Sequence, residues 1–149
     1  MAELYAAAGA RIYIGGILAT KNANFVVGDF ASQTWVEVDG FQSMGAIGDT
    51  SEVITTQLIN RGRDLKQKGT KNAGTYEAKF VIVASDAGQA VLKTAQGSNE
   101  NYAFKITYPS GETEYFIALV MTRARADGEA NDVLARTVTL EINSNIVEA

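Results

Sequence analysis

Residues 101–121, NYAFKITYPSGETEYFIALVM, decide the fold class. Asn101 to Tyr108 and Glu112 to Met121 alternate with period two, the spacing of strands that bury one face. Between them Pro109-Ser110-Gly111 makes a turn, because Pro presets φ and Gly accepts the dihedral that other residues avoid. A β-hairpin is the expected structure. Its second arm is apolar on both sides, with Tyr115, Ile117 and Leu119 opposite Phe116, Ala118 and Val120. One small domain cannot easily cover two apolar faces, so one of them is expected to meet a neighbour.

The same alternation recurs on either side of this hairpin. Strands are expected over Ala10 to Gly16, over Thr34 to Val38, and over Val133 to Ile146. Ser51 to Ile59 and Thr75 to Ala84 are expected to pair with each other. One helix is expected, with Ser85 as N-cap, Asp86 in the first turn, Ala87, Ala90, Val91 and Ala95 on its inner side, and Gly97 at its end. The fold class is therefore mainly β: a β-sandwich or partial barrel of two packed antiparallel sheets, with one short flanking helix and a long inter-strand loop. The expected core is Trp35, Tyr76, Phe80, Ile82, Phe104, Ile106, Val138, Leu140 and Ile142.

Composition narrows the chemistry. The chain has 149 residues, 46% hydrophobic and 20% charged, with no Cys and no His and a net charge of -4. This is one domain, residues 1–149, long enough to bury a core without disulfides or metal. Without Cys and His, zinc sites, thiol nucleophiles, Ser-His-Asp triads and imidazole bases are excluded. No signal peptide and no membrane span are expected, since the longest apolar stretch, Tyr115 to Met121, is far shorter than a bilayer requires.

The remaining motifs point to no reaction. Gly69 to Thr75 lacks the Lys and the following helix of a phosphate loop. Glu112 and Glu114 beside a turn, and Asp49 with Glu52 near a strand start, read as solvated carboxylates rather than an acid and base pair. Asp127, Glu129 and Asp132 lack the ligand spacing of a calcium loop. No cofactor, no metal and no catalytic residue is expected.

One segment stands apart. Asn60 to Lys71, NRGRDLKQKGTK, holds Arg61, Arg63, Lys66, Lys68 and Lys71 against Asp64 alone, a charge of +4, while the other 8 basic and 16 acidic residues leave -8 elsewhere. Like charges this dense gain by meeting an acidic surface or phosphate. Nucleic acid is one partner, although the segment has no aromatic for base stacking and the chain as a whole is acidic. A solvated hairpin tip is the second reading. Another copy of the same chain is the third: a positive arm on a negative body is complementary to itself head to tail, which favours open stacking over a closed dimer.

The run Tyr102 to Gly111, followed by a strand, a polar loop and Val133-Leu134-Ala135-Arg136-Thr137-Val138-Thr139-Leu140, resembles the C-terminal half of the tube domain of phage lambda-type major tail proteins. Trp35 on an early strand, the long charged loop and the short helix before the Pro-Ser-Gly hairpin follow the same layout, so the likeness covers nearly the whole chain. The resemblance implies a structural virion protein: six copies form a ring, rings stack head to tail, and the tube conducts the genome from capsid to cell. It implies no active site.

In such a protein residues 60–71 would project to the adjacent ring, with Arg61, Arg63, Asp64, Leu65, Lys66, Lys68 and Lys71 as inter-ring contacts. Residues 1–10 would form a flexible arm reaching a neighbouring subunit through Leu4 and Tyr5. The partners implied are the chain itself, a tape measure protein, and tail-tip and terminator proteins. DNA would pass transiently without specific binding, no membrane is involved, and the chain would be made in the host cytoplasm for a virion tail. No immunoglobulin-like extra domain is expected.

Taking six copies and four inner strands each from the resemblance, roughly 24 strands spaced ~4.8 Å and tilted ~40° give a backbone diameter of about 48 Å. Side chains of ~5 Å leave a bore of about 38 Å, wider than a ~20 Å duplex. A wall that binds phosphate would drag on a moving polyanion, so a neutral or acidic lining is expected. Thr55, Gln57, Glu77, Thr137, Thr139, Glu141 and Asn143 suit it, provided that Lys79 and Lys105 are paired or point elsewhere. The alternatives are a tube protein of a phage-derived particle or secretion apparatus, and a small β-barrel module for an acidic or nucleic-acid ligand.

Overall fold

Gly40 occupies the point where the two edges of the main sheet meet. The computed structural model describes residues 4–126 and 128–149, so Asp127 and the first three residues of the N-terminal arm lie outside it. Ten strands form: β1 (Arg11–Ile17), β2 (Val36–Glu37), β3 (Phe41–Met44), β4 (Thr50–Thr56), β5 (Leu65–Asn72), β6 (Thr75–Val81), β7 (Tyr102–Thr107), β8 (Thr113–Arg125), β9 (Ala135–Ile142) and β10 (Val147–Glu148). One helix, α1 (Ala87–Gln96), and a 3₁₀ turn, Val27–Phe30, complete the described elements.

Eight strands make one antiparallel sheet in the order β2-β1-β7-β8-β9-β6-β3, with β10 beside β8; β4 and β5 make a second, separate pair. The edge strands β2 and β3 are joined by residues 38–40 alone. Val38 donates its N–H to the Ile12 carbonyl at 2.9 Å, and Val81 donates to the Gly40 carbonyl at 2.7 Å. A link of three residues spans little more than ~14 Å, so the sheet is rolled until its edges nearly touch. The result is an open barrel sealed at one point of its seam. Gly40 has φ +80°, and a Cβ there would stand 2.3 Å from the Val81 carbonyl oxygen, so no other residue fits.

Helix α1 locks this seam. Its N-cap is Asp86 rather than Ser85: the carboxylate accepts from the Gln89 N–H at 2.9 Å and also from the Asp39 N–H at 3.1 Å. Gln89 in turn donates to the carbonyls of Asp39 and Val81. Gly88 lies against the backbone of Glu37 and Val38, where a Cβ would come within 2.2 Å of the Glu37 oxygen. The inner side of the helix is Gly88, Leu92 and Ala95, with Ala87 and Ala90 exposed and Val91 half-buried. The buried face is rotated from the expected one because Leu92, the helix's largest apolar residue, turns towards the core.

The core fills the inside of the roll. Ile12, Ile14, Tyr76, Phe80, Phe104, Ile106, Phe116, Val138, Leu140 and Ile142 form one cluster with Leu92 and Ala95. Phe104 stacks on Phe116 at 5.5 Å between ring centroids, and Phe41 on Phe80 at 5.3 Å. Trp35 and Ile82, expected in the core, are only half-buried. Trp35 belongs to a second cluster on the outside of the sheet, where Phe25, Phe30 and Val147 cover Ala103 and Ile117. The second apolar face of β8 is therefore covered in part by the chain itself, through residues 25–35 and β10.

Local readings held and long-range ones shifted. The hairpin of β7 and β8 pairs Phe104 with Phe116 and Lys105 with Tyr115, as its turn requires. By contrast β4 pairs with β5, and β6 pairs with β9 and β3, so the expected partnership of 51–59 with 75–84 does not form. The last strand is also shorter than 133–146, since Ile142 ends it and β10 follows after a break. The architecture remains mainly β with two antiparallel sheets, one helix and no closed barrel.

Tyr76 is 1% exposed, and its hydroxyl has no hydrogen-bond partner. Burial pushes its pKa up to about 12, with the Glu114 charge adding to the rise. The neutral phenol is thus favoured in the folded state, and the contribution is complete below pH ~10 and fades as pH rises towards 12. Two substitutions test this packing. Tyr76→Phe removes an unsatisfied buried hydroxyl, so denaturant titration at pH 7 should show unchanged or higher stability, by up to about 1 kcal/mol. Between pH 10 and 12 the variant should retain about 2 kcal/mol that the parent loses. Gly88→Ala should destabilise by about 2 kcal/mol despite its better helix propensity, because the methyl group meets backbone that cannot turn aside.

Candidate functional site: surfaces for assembly

Among the described residues no three His, Cys, Asp or Glu side chains group as for a metal. Glu129 and Asp132 of the polar loop fold onto themselves, with the Asp132 carboxylate accepting the Glu129 N–H, while Asp127 lies outside the described residues. Among the described residues no helix is long and apolar enough to cross a membrane. What the surface offers instead is a ribbon and a bare polar wall.

The ribbon is the β4–β5 hairpin. Residues 60–71 are only partly a loop: Arg61, Arg63 and Asp64 lie in the turn, whereas Leu65, Lys66, Lys68 and Lys71 lie on strand β5. β-Branched residues fill β4, TSEVITT, and suit a pleated ribbon. The register pairs Thr55 with Lys66, Val53 with Lys68 and Ser51 with Lys71, which requires an irregularity between Ser51 and Val53. There Glu52 opposes both Gly69 and Thr70. This one-residue bulge reverses the alternation, so Lys71 falls on the same face as Lys66 and Lys68. Gly69 permits it, since a Cβ would crowd the Ile54 side chain at 3.2 Å. One face of the ribbon is a row of three lysines, and the other carries Ile54 and Leu65.

All seven residues expected at an inter-ring contact are exposed. Among the described residues the ion pairs are Arg11–Glu37 and Lys21–Asp29, so none of the ribbon's charges is paired. Val53 is 66% exposed and Ile59 fully so. An isolated two-stranded ribbon is marginally stable in water, and this one also leaves both strand edges without ladder partners.

The polar wall lies on the outside of the roll, beyond the reach of residues 25–35. Cross-strand pairing sets Glu77 beside Thr139, Thr75 beside Glu141, and Lys79 beside Thr137. Thr75 donates its hydroxyl to the Glu141 carboxylate. Strand β8 adds Thr122 and Ala124 to the same surface. Of the seven residues expected to line a bore, Glu77, Thr137, Thr139 and Glu141 come together here. Asn143 sits at the border, donating to the Asn101 side chain. Thr55 and Gln57 do not join them, because they belong to the separate ribbon. Lys79 shares the wall, against expectation, whereas Lys105 is removed from it: its ammonium lies 4.4 Å from the Tyr13 ring centroid and 5.2 Å from that of Trp35.

The N-terminal segment runs past Met44, Ile47 and Tyr108, with Leu4 95% exposed and Tyr5 56% exposed. Sequence reasoning also missed a feature at the two ends of β8, where Arg125 faces Arg136 and Glu114 faces Glu148. The charges are plain in the sequence; their pairing depends on register.

This geometry has known counterparts. A baseplate chain of the anti-feeding prophage shares the fold at a TM-score of 0.71 and 14% identity, over 100% of this chain and 97% of that one. The tail tube of phage SPP1 matches at 0.68 and 14% identity, over 93% of this chain and 75% of that one. A gene transfer agent virion chain matches at 0.62 and 12% identity, over 77% and 88%. No relative is found among curated protein sequences. The model of the phage tail tube protein family matches residues 2–148, nearly the whole length, and the chain belongs to that family of structural tail proteins.

Proposed function

We propose that the chain builds a tube of stacked six-membered rings that conducts DNA, and that it does so without any catalytic step. The observation that carries this reading is the β4–β5 ribbon: seven residues of one strand and eight of the other extend from an acidic body with their lysines unpaired and their edges open. Such a ribbon lowers its free energy by lying on another copy. There it gains ladder hydrogen bonds, covers Val53, Ile54, Ile59 and Leu65, and brings positive charge to a negative surface.

Arg61, Arg63, Asp64, Leu65, Lys66, Lys68 and Lys71 make this contact with the adjacent ring, and Leu4 and Tyr5 contact a neighbour within it. The wall of Glu77, Thr137, Thr139 and Glu141 faces the bore, carrying two carboxylates against the single ammonium of Lys79. Phosphate finds no cluster of cations there to hold it. A tape measure protein inside the tube, with tail-tip and terminator proteins at its ends, completes the particle. Synthesis occurs in the host cytoplasm before incorporation into the virion tail.

Two experiments test these assignments. Replacing Arg61, Arg63, Lys66, Lys68 and Lys71 together with Gln should leave a subunit with parental circular dichroism that stops at monomers or single rings in negative-stain micrographs. Long tubes from that variant would remove the ribbon from its role. Glu141→Lys should leave tubes intact but slow genome ejection, measured as DNA released per particle over time, and an unchanged ejection rate would count against the wall facing the bore.

A further inference from the structure

Strand β8 carries a like-charge pair at each end, of opposite sign. At its start Glu114 stands directly across from Glu148 of β10, with Glu112 in the adjoining turn. At its end Arg125 stands across from Arg136 of β9, and Arg123 is two residues back. Like charges directly opposite on neighbouring strands are destabilising, so an isolated copy holds two unfavourable pairs.

Both ends project from the same side of the sheet. Glu114 is in register with Ile106 and Arg123 with Val138, and both partners are core residues. The irregularity between Val120 and Thr122 makes this so, because it switches the inward positions of β8 from even to odd numbers. Eleven residues separate Glu114 from Arg125, about 36 Å at ~3.3 Å per residue.

Nothing in the described chain neutralises the arginine end. No described carboxylate lies within salt-bridge reach, and Arg136 instead donates to the Arg123 carbonyl at 3.3 Å. Among the described residues, Asp132 takes the Glu129 N–H, and Asp86 takes those of Gln89 and Asp39. Burial, with Arg136 and Arg125 close by, holds the Arg123 pKa below its ordinary value. At the other end Glu114 takes part in a hydrogen bond with Tyr108, and Arg11, the nearest cation on β1, is bound to Glu37.

We infer that β8 is a head-to-tail contact in its own right: the arginine end of one copy, Arg123, Arg125 and Arg136, seats on the glutamate end of the next, Glu112, Glu114 and Glu148. Each end supplies what the other lacks, and planar guanidinium matches carboxylate in paired hydrogen bonds. The inference rests on the tube reading above but adds a second, independent contact that fixes the direction of stacking.

The test uses two variants of the full chain. Arg125→Glu with Arg136→Glu makes both ends acidic, and Glu114→Arg with Glu148→Arg makes both basic. Each keeps a like-charge pair at the altered end, so folding should be little changed, as circular dichroism would report. Should the second fail to fold, Glu112→Lys with Glu148→Lys leaves the Glu114–Tyr108 bond in place and serves instead. Each variant alone should lose elongation. Mixed in equal amounts they should regain it, and sedimentation should show the two binding each other but not themselves, with added salt weakening the pair. Parental elongation by either variant alone, or two folded variants that ignore each other, overturns the contact. If the parent chain builds no polymer, the tube reading falls, while pairwise binding of the two variants still decides this inference.

Discussion

The hydrogen bonds at Val38 and Gly40 hold a rolled sheet shut, and most of the molecule follows from that closure. A flat antiparallel sheet of this size would need a second layer to bury its apolar face. Rolling makes the sheet its own second layer. The condition is that β2 and β3, opposite edges of the sheet, come within three residues of each other, which demands the positive φ of Gly40 and the bare backbone of Gly88. Asp86 and Gln89 then bind both sides of the seam, so a helix too small to form a layer still has a structural task.

Closure also determines what is left outside. The roll spends its apolar side chains on the inside, and the outer surface divides: residues 25–35 and β10 cover β7 and the start of β8, while β6, β9 and the end of β8 stay bare and polar. The ribbon of β4 and β5 grows from the β3–β6 edge, so it leaves the roll without interrupting the order of its strands. Its exposure is thus a consequence of how the core is completed.

The legible parts of the sequence were those decided locally. The Pro109-Ser110-Gly111 turn fixes the register of β7 and β8, and the cap and terminal glycine bound the helix to within a residue. Period-two alternation also identified the inward side chains of β6 and β9, Tyr76, Phe80, Val138, Leu140 and Ile142. What alternation cannot reveal is which strand lies beside which, since a strand's face looks the same whatever its partner. Hence the sequence alone sets β4 against β6, and the basic segment reads as a loop because its alternation of Lys with polar residues has no apolar side to signal a strand. Bulges are the other gap. Without the one at Gly69 the lysine row would be broken, and without the one at Met121 the arginines and glutamates of β8 would lie on opposite sides.

A fold of this kind divides its stabilising terms between the monomer and the polymer. The buried cluster inside the roll is complete in one copy, so a subunit can fold before it meets another. The ribbon's exposed apolar residues and open edges are incomplete, and in the proposed tube they would supply contact area and ladder hydrogen bonds that carry little sense of direction. Charge supplies the direction. An end-to-end dimer would bring arginines against arginines or glutamates against glutamates, whereas a head-to-tail stack relieves both like-charge pairs at once. Specificity for an open polymer over a closed dimer then comes from repulsion in the wrong arrangement as much as from attraction in the right one.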